Sequence, residues 1–269
     1  MRTWFITGVS RGFGRLITEH ALEAGDNVVG TARRPEVLDD LVAASEGRLV
    51  ILPLDVTDRA AVFATVEKAA KAFGRLDIVV NNAGHGLMGA VEEVGEDDAR
   101  AIMETNFFGT LWVTQAVLPV LRKQGAGRIL QMSSVSGLMA VPTMGLYNAS
   151  KFALEGLSDA LAQEVAGFGI HVTLVEPRIY ATGFMGASLK MSPMSTAYDP
   201  VRVALMAKYA DGVPGDPVKV AEAILQLVAS DAPPRRLLLG DGDFDVIVEL
   251  HQERVTEWRS WESVSRAAG

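Results

Sequence analysis

The chain has 269 residues, of which 49% are hydrophobic, and a net charge of -8. This length suits one α/β domain or two small ones, and the hydrophobic content allows a large buried core. Because the chain is acidic and has no cysteine, nucleic-acid binding through phosphate neutralisation is disfavoured, and disulfides, thiolate catalysis and cysteine-ligated metal centres are excluded.

Targeting signals and membrane segments are not evident in the sequence. The N-terminal apolar run is too short for a signal peptide and leads directly into a glycine turn. The sequence contains no run of about 18 apolar residues, the length needed to span a membrane. The histidines are too scattered for a metal site. We therefore predict a cytoplasmic protein without a metal, and with neither nucleic acid nor a membrane as its partner.

A β-α-β pattern opens the chain. Residues 4–7 and 28–31 are predicted as buried strands, and residues 13–24 between them have the apolar spacing of a helix. Glycines in the connecting turn would let a pyrophosphate approach the backbone at the positive end of that helix. The alternative is a glycine-rich turn without a ligand. The residues of this turn that we expect to contact a dinucleotide are Gly8, Ser10, Arg11, Gly12, Phe13 and Gly14.

Arginines follow the second predicted strand. A site for NAD usually carries an acidic residue there, which binds the ribose 2′-hydroxyl. This chain instead has Arg33 and Arg34, with Arg11 in the glycine turn on the same side. Guanidinium groups can bind a 2′-phosphate with paired hydrogen bonds, so we predict NADP(H) as the cofactor. The alternative is that Arg33 and Arg34 are solvated loop charges.

The spacing of Gly8, Gly12 and Gly14 resembles that of the short-chain dehydrogenase/reductase family. The resemblance extends over residues 3–240. It implies an α/β fold in which residues 1–269 form a single Rossmann domain. The expected sheet is doubly wound, parallel and seven-stranded, with helices on both of its faces.

The resemblance also implies cofactor contacts after later strands. Asp55 and Val56 follow the third predicted strand and correspond to the residues that meet the adenine. The turn Asn82-Ala83-Gly84 follows the fourth strand and would lie against the nicotinamide ribose. Pro177 and Thr182 follow the sixth strand, and the family's threonine at this place contacts the nicotinamide carboxamide.

Tyr147 and Lys151 are four residues apart, which places both on one face of a helix. A cation beside a phenol favours the phenolate, so Lys151 is predicted to lower the pKa of Tyr147. A phenol tuned in this way can exchange a proton with a carbonyl or alcohol oxygen. Taken alone, the pair also fits an ordinary surface helix. Ser134 and Asn106 match the two remaining catalytic positions of the family.

The resemblance gives each of these four residues a role. Tyr147 exchanges the proton, Ser134 polarises the carbonyl, and Lys151 also binds the nicotinamide ribose. Asn106 holds a water that relays protons, although it could otherwise mark a kink or a buried amide in the long helix predicted over residues 97–123. No nucleophile elbow surrounds Ser134, so hydrolase chemistry is not expected.

Two features concern the substrate. The family has glycine where this chain has Arg178, so either the loop follows another backbone path or Arg178 points into the mouth of the active site. Residues 183–215 would form a lid rich in methionine and aromatic residues, which suits a bulky apolar substrate, although such residues could equally fill a core. The candidate substrate contacts are His85, Arg178, Met185, Met191 and Tyr198.

The C-terminal half bears on assembly. The helix predicted over residues 147–168 has an apolar face that would be core or subunit interface, and in the family it pairs with a second subunit; we predict a homodimer or homotetramer. Residues 242–269 form a helical extension in which Trp258 and Trp261 would pack near the lid or an interface. Residues 233–240 resemble reductases near the 17β-hydroxysteroid and retinol dehydrogenases.

The predicted function is an NADP(H)-dependent oxidoreductase of the carbonyl reductase type, which interconverts a ketone or aldehyde and an alcohol. Two alternatives stay open: a non-catalytic NADP-binding redox sensor on the same fold, and an epimerase or dehydratase of the family's extended branch. The presence of all four catalytic residue types opposes a sensor. The short chain and the glycine spacing oppose the extended branch.

Overall fold

The computed structural model describes residues 1–210 and 212–269, without the side chains of Met185 and Asp243. In this part of the chain the strands are β1 (Thr3–Thr7), β2 (Asn27–Ala32), β3 (Leu49–Pro53), β4 (Ile78–Asn81), β5 (Gly86–Met88), β6 (Gly127–Met132), β7 (Ile170–Pro177), β8 (Leu189–Met191) and β9 (Arg236–Leu239). The α-helices are α1 (Gly12–Glu23), α2 (Asp39–Ala44), α3 (Arg59–Ala72), α4 (Glu96–Met103), α5 (Thr110–Gln124), α6 (Gly145–Val165), α7 (Asp199–Tyr209), α8 (Pro217–Ala229), α9 (Asp243–Ser260) and α10 (Glu262–Ala267).

The strands form a seven-stranded parallel sheet in the order β3-β2-β1-β4-β6-β7-β9, which confirms the predicted sheet. β5 and β8 pair separately and join the segment after β4 to the lid. The strand order reverses between β1 and β4. In open α/β sheets, ligands bind in the crevice outside the carboxyl ends of the strands at such a reversal.

Helices cover both faces of the sheet, which explains the unbroken apolar runs in its central strands. Trp4 and Ile6 of β1 pack on one face in a core shared with α1 and α8. Phe5, which lies between them, packs on the other face in a core shared with α3, α5 and α6. The alternation of side chains along β1 therefore joins two helical layers to one sheet, and the prediction of helices on both faces is confirmed.

The long helix predicted over residues 97–123 is interrupted. α4 ends at Met103, a π-helical segment spans Glu104–Gly109, and α5 continues to Gln124. Short π-helical segments inside α-helices are frequent at functional sites because they displace the residues that follow. This segment contains Asn106, so the interruption lies at a predicted catalytic residue.

The C-terminal extension contains α9 and α10. Trp258 and Trp261 are 64% and 63% exposed, so they do not pack under the lid, and an interface for them stays a prediction. The apolar face of α6 is divided: Leu154 and Leu161 are buried, whereas Phe152 is exposed. None of the helices in the described residues is long and apolar enough to cross a membrane.

Gly14 allows the chain to pack closely at the start of α1. A Cβ at this position would lie 2.3 Å from the carbonyl oxygen of Gly8 and 2.5 Å from the side-chain nitrogen of Asn82. We expect Gly14→Ala to separate these groups and to lower the free energy of unfolding by roughly 1–3 kcal/mol, as overpacking does. Urea denaturation followed by circular dichroism measures this loss.

Gly156→Ala provides a matched control in α6. A Cβ at Gly156 would meet no atom within 4 Å, and alanine is a better helix former than glycine. This variant should therefore be at least as stable as the unaltered protein. If Gly14→Ala were equally stable, the close approach at the turn would have no energetic consequence.

Candidate active site

The turn between β1 and α1 forms a cradle of backbone N–H groups. Gly8 and Gly12 have φ angles of 72° and 57°, in the left-handed region that favours glycine. No side chain caps the first turn of α1, so its N–H groups can bind an anion at the positive end of the helix. The turn therefore has the shape that the predicted pyrophosphate contact requires.

Asn82 fastens the turn after β4 to the glycine turn after β1. Its side-chain amide donates hydrogen bonds to the carbonyl oxygens of Thr7 (2.8 Å) and Gly8 (3.1 Å). The hydroxyl of Thr7 accepts from the backbone N–H groups of Asn82 and Ala83, both at 3.0 Å. The sequence did not single out Thr7, whose only signal is a hydroxyl at the carboxyl end of a strand.

The three arginines predicted to bind a 2′-phosphate, Arg11, Arg33 and Arg34, are exposed and follow the carboxyl ends of β1 and β2. Arg11 donates a hydrogen bond to the carbonyl oxygen of Ala187 in the lid, at 3.2 Å. Burial lowers the pKa of His85, and the charge of Arg33 lowers it further, which places Arg33 on the side of the crevice.

The other predicted adenine and carboxamide contacts also lie at this edge of the sheet. Asp55 accepts hydrogen bonds from the backbone N–H (3.0 Å) and hydroxyl (2.8 Å) of Thr57, and Val56 is buried. Thr182 lies over the glycine turn, because a Cβ at Gly12 would be 3.8 Å from the Cβ of Thr182. Residues far apart in sequence thus surround one crevice.

Ser134, Tyr147 and Lys151 meet at the end of β6. Tyr147 is buried, and its phenol forms a hydrogen bond with Ser134. The hydroxyl of Ser134 also donates to the carbonyl oxygen of Pro177 at 3.4 Å. The Nζ of Lys151 lies 5.7 Å from the centre of the Tyr147 ring and donates to the carbonyl oxygen of Met132 at 2.7 Å. The structure therefore brings together three of the predicted catalytic side chains.

Burial dominates the ionisation of Tyr147 and Lys151. It raises the pKa of Tyr147 to about 12, against the hydrogen bond with Ser134, and it lowers the pKa of Lys151 to about 8. The prediction of a lowered pKa for Tyr147 is wrong in this structure, because desolvation of the phenolate outweighs the hydrogen bond with Ser134. At neutral pH Tyr147 therefore holds its proton.

Asn106 is buried in the π-helical segment and linked to α6. Its amide oxygen accepts from the backbone N–H of His85 (3.0 Å), and its amide nitrogen donates to the carbonyl oxygen of His85 (3.0 Å) and the hydroxyl of Ser150 (3.1 Å). Ser150 donates to the carbonyl oxygen of Tyr147 (2.7 Å). Both amide hydrogens of Asn106 are used by protein groups, so a relay water would be held through an oxygen acceptor.

A lid residue contacts the predicted proton donor directly. The ring of Phe184 lies 5.6 Å from that of Tyr147, centre to centre. The backbone N–H of Phe184 donates to the hydroxyl of Thr182 at 3.3 Å, so the same turn places both residues. Phe184 was predicted only as one of several apolar lid residues, because sequence gives no signal for the ring that faces Tyr147.

Arg178 follows another backbone path, which was one of its two predicted arrangements. Its φ lies outside the left-handed region that a glycine would permit. Its backbone N–H donates to the carbonyl oxygen of Leu239 (3.1 Å), and its guanidinium donates to that of Asp241 (2.6 Å). The side chain is therefore held by the loop after β9.

The remaining substrate candidates are dispersed. The side chain of Met185 lies outside the described part of the chain. Met191 is 47% exposed in β8, and the hydroxyl of Tyr198 is hydrogen-bonded to Glu92. In the described residues, the apolar cluster around Tyr147 includes Phe184 but neither Met191 nor Tyr198.

A glycine cradle at the sheet crevice, beside a buried serine, tyrosine and lysine, is the arrangement expected of a nicotinamide-dependent oxidoreductase. The model of the short chain dehydrogenase family matches residues 2–192. The chain therefore belongs to the short-chain dehydrogenase/reductase family and is an oxidoreductase of that family.

Relatives match over the whole length of the chain. The oxidoreductase BOA17 of Botryotinia fuckeliana is 38% identical, with 99% of each chain covered. A short-chain dehydrogenase from Streptomyces avermitilis, known from a crystal structure, is 39% identical, with all of both chains covered and a TM-score of 0.92.

Two further similarities bear on the branch and the cofactor. Human 17-beta-hydroxysteroid dehydrogenase type 1 is 43% identical over 54% of this chain and 43% of its own. A serine dehydrogenase complexed with NADP+ is 27% identical, with a TM-score of 0.77 over 88% of this chain and 94% of its own.

Replacement of Asn106 tests its structural role. Asn106→Ala removes three hydrogen bonds and leaves the half-buried backbone groups of His85 and the buried hydroxyl of Ser150 without this side-chain partner. We expect the free energy of unfolding to fall by roughly 2–3 kcal/mol, since buried polar groups that lose their partners are costly. Equilibrium urea denaturation measures the change.

The control is Gln163→Ala, which removes an exposed side-chain amide that donates to the carbonyl oxygen of Asp159 at 3.0 Å. Its effect should stay within about 0.5 kcal/mol, as for most surface substitutions. Equal losses in the two variants would show that Asn106 does not brace the π-helical segment.

Proposed function

We propose that this chain is an NADP(H)-dependent carbonyl reductase that interconverts a bulky apolar ketone or aldehyde and its alcohol. The observation that carries the proposal is the buried grouping of Ser134, Tyr147 and Lys151 next to the glycine cradle. Membership of an oxidoreductase family supports the reaction class. The roles of individual residues follow from their contacts.

The crevice fits a phosphorylated dinucleotide. The uncapped start of α1 and the left-handed glycines would hold the pyrophosphate. Arg33 and Arg34 are exposed at the end of β2, where a 2′-phosphate would lie and where an acidic residue would repel it. Structural relatives are known in complex with NADP+ and with NADH, so the preference for NADP(H) rests on the arginines. Arg11, which contacts the lid, would join the lid to the same site.

Chain residues supply the proton transfer and the polarisation of the carbonyl. The bound nicotinamide would supply the hydride. Tyr147 is protonated at neutral pH and donates its proton to the carbonyl oxygen. Ser134 donates a second hydrogen bond to the same oxygen and polarises the carbonyl. Lys151, 5.7 Å from the ring centre, stabilises the phenolate that remains and would bind the nicotinamide ribose.

After Tyr147 has given up its proton, we assign its reprotonation from solvent to the segment around Asn106. Asn106 and Ser150 connect the π-helical segment to the backbone of Tyr147. A water held by an oxygen acceptor there would lie between bulk solvent and Lys151, as the relay requires. Asn106 therefore both braces this wall of the site and holds its proton path.

An apolar groove on the surface supports the proposal of a bulky apolar substrate. It has a volume of about 460 Å³ and lies between residues 139–142 and α7. Asn148, which follows Tyr147 on α6, donates a hydrogen bond to the carbonyl oxygen of Val141 at 2.8 Å, so one wall of the groove is tied to the helix that carries Tyr147. The human relative is named for a hydroxysteroid, an apolar alcohol of the same kind. The apolar lining residues include Met139, Val141, Val201, Ala204 and Leu205.

We further propose that residues 1–269 act as one catalytic domain with residues 183–215 as its lid. Self-association through α5 and α6 into at least a dimer would cover Phe152, which is 37% exposed. The cytoplasmic location stays a prediction from the sequence.

Removal of one hydroxyl tests the proton donor. Tyr147→Phe keeps the ring packed against Phe184 but removes the acid. We expect kcat for NADPH-dependent ketone reduction to fall at least ~100-fold, the lower bound for general acid catalysis, while NADPH still binds. Loss of reduced-nicotinamide absorbance over a panel of ketones and aldehydes measures turnover, and the quenching of tryptophan fluorescence measures binding.

Ser158→Ala is the control, because Ser158 is a buried hydroxyl of the same helix, about three turns beyond Tyr147. It should retain normal turnover. Retained turnover in Tyr147→Phe would overturn the assignment of the acid. Binding of NADPH to the unaltered protein without turnover of any carbonyl compound would instead favour a sensor.

Replacement of two arginines tests the cofactor preference. We expect Arg33→Ser with Arg34→Ser to raise the KM for NADPH by roughly 10- to 100-fold, since hydrogen bonds to charged groups contribute ~1.5–3 kcal/mol. The KM for NADH should stay unchanged. Arg100→Ser, which removes an exposed arginine of α4, is the control. An equal rise for both cofactors, or none for NADPH, would contradict the 2′-phosphate contact.

A further inference from the structure

A buried polar cluster lies behind the site and belongs to no role described so far. It consists of Ser133, Glu155 and Glu176, which are 4%, 6% and 1% exposed, together with Arg236. Each of the three buried residues lies on a segment that carries part of the active site. Ser133 precedes Ser134, Glu155 is one helical turn after Lys151, and Glu176 precedes the Pro177 carbonyl that accepts from Ser134.

Glu155 makes the contacts that join these segments. One of its carboxylate oxygens accepts from the hydroxyl of Ser133 at 2.5 Å, and the other accepts from Nε of Arg236 at 3.0 Å. A Cβ at Gly137 would lie 2.8 Å from the Ser133 hydroxyl and 3.1 Å from the Glu155 carboxylate. The segment that begins at Ser133 is therefore packed directly onto Glu155, with little room for either side chain to move.

The two buried carboxyl groups of the cluster differ in the donors that stabilise their charge. Glu155 has two charge-stabilising donors, whereas Glu176 has Arg236 at 3.4 Å. Burial, and then the charge of Glu155, raise the pKa of Glu176 to about 8, and a hydrogen bond joins the two carboxyl groups. At neutral pH Glu176 therefore carries a proton. Burial also raises the pKa of Glu155, against the hydrogen bond from Ser133 and the charge of Arg236.

We propose that Glu155 is a positioning residue for catalysis, which fixes the Ser134 segment through Ser133 and sustains the positive charge of Lys151. This inference rests on the proposed carbonyl reductase function. The negative charge of Glu155 favours the ammonium form of Lys151 against the burial that opposes it. Glu155 thus acts through Lys151 and Ser134 without touching the substrate.

Other charged groups face Glu155 from each element packed around it. A cleft of about 1040 Å³ between α6, β9 and α9 opens onto the cluster, and α9 contributes basic side chains to its wall. Because these groups also set the local potential, a test must change Glu155 alone. The charged or titratable groups on the neighbouring elements are Lys151 and Asp159 on α6, Glu176 on β7, Arg236 on β9, and His251, Arg254 and Arg259 on α9.

The direct test measures the pKa of Lys151. Protein labelled with ¹³C at lysine Cε is titrated by NMR, and the Lys151 resonance is identified by its loss in Lys151→Met. Glu155→Gln keeps the shape of the side chain and its bond with Ser133 but removes the charge. We expect the pKa of Lys151 to fall by about one unit and the basic limb of the kcat–pH profile to move down with it. Glu155→Asp restores the charge and should restore most of this pKa.

Asp159→Asn is the matched control. Asp159 also accepts from Arg236, at 2.6 Å, but it lies one turn further from Lys151. This variant should leave the pKa of Lys151 and kcat unchanged. An unchanged pKa in Glu155→Gln, or an equal shift in Asp159→Asn, would overturn the proposal.

A second variant separates the positioning of the Ser134 segment from the effect of Glu155 on the charge of Lys151. It also keeps the proposal testable if Glu155→Gln fails to fold. Ser133→Ala removes the hydrogen bond between Glu155 and the segment that carries Ser134. We expect kcat to fall about tenfold, which corresponds to the loss of one hydrogen bond. The KM for NADPH and the pKa of Lys151 should stay unchanged. An unaltered kcat in Ser133→Ala would overturn the proposal that Glu155 positions the Ser134 segment through Ser133. If the unaltered protein reduced no carbonyl compound, the proposed function would fail, whereas the NMR titration would still decide the effect of Glu155 on Lys151.

Discussion

The structure of the site depends on the burial of one lysine. An ammonium group removed from water is costly unless it is paired and hydrogen-bonded. Lys151 meets this condition by donating to the carbonyl oxygen of Met132 at 2.7 Å, and it lies one turn before the carboxylate of Glu155. This bond fixes α6 against the end of β6. The position of Tyr147 follows from it, because Tyr147 lies one turn earlier on the same helix.

The same constraint explains the arrangement around Asn106. α6 must be held on its other side as well, and the hydroxyl of Ser150 provides the contact by donating to Tyr147 and accepting from Asn106. Asn106 reaches Ser150 while also binding both backbone groups of His85. A side chain with three simultaneous contacts needs a special position, which the π-helical segment gives it.

Sequence was sufficient for the features that depend on local pattern. Apolar runs predicted the first two strands, at residues 4–7 and 28–31, and the glycine spacing carried the resemblance that implied the seven-stranded sheet. Features that depend on tertiary contacts could not be predicted from the sequence. The π-helical segment is one such feature, because Asn106 is placed by contacts with distant residues. The balance of burial and charge at Tyr147 is another, because spacing reveals the cation but not the loss of water.

The stripe of residues on α6 shows what spacing reveals once burial is known. Tyr147, Lys151 and Glu155 recur every four residues, so one helix face presents an acid, a cation and a carboxylate in order. Sequence analysis identified the first two and did not single out Glu155. Its 6% exposure distinguishes it from a surface charge, since a carboxylate buried beside a cation is an electrostatic partner and not a solubilising group. Burial raises the pKa of Tyr147 and so opposes its ionisation. The cation beside it, Lys151, has a buried counterion of its own in Glu155.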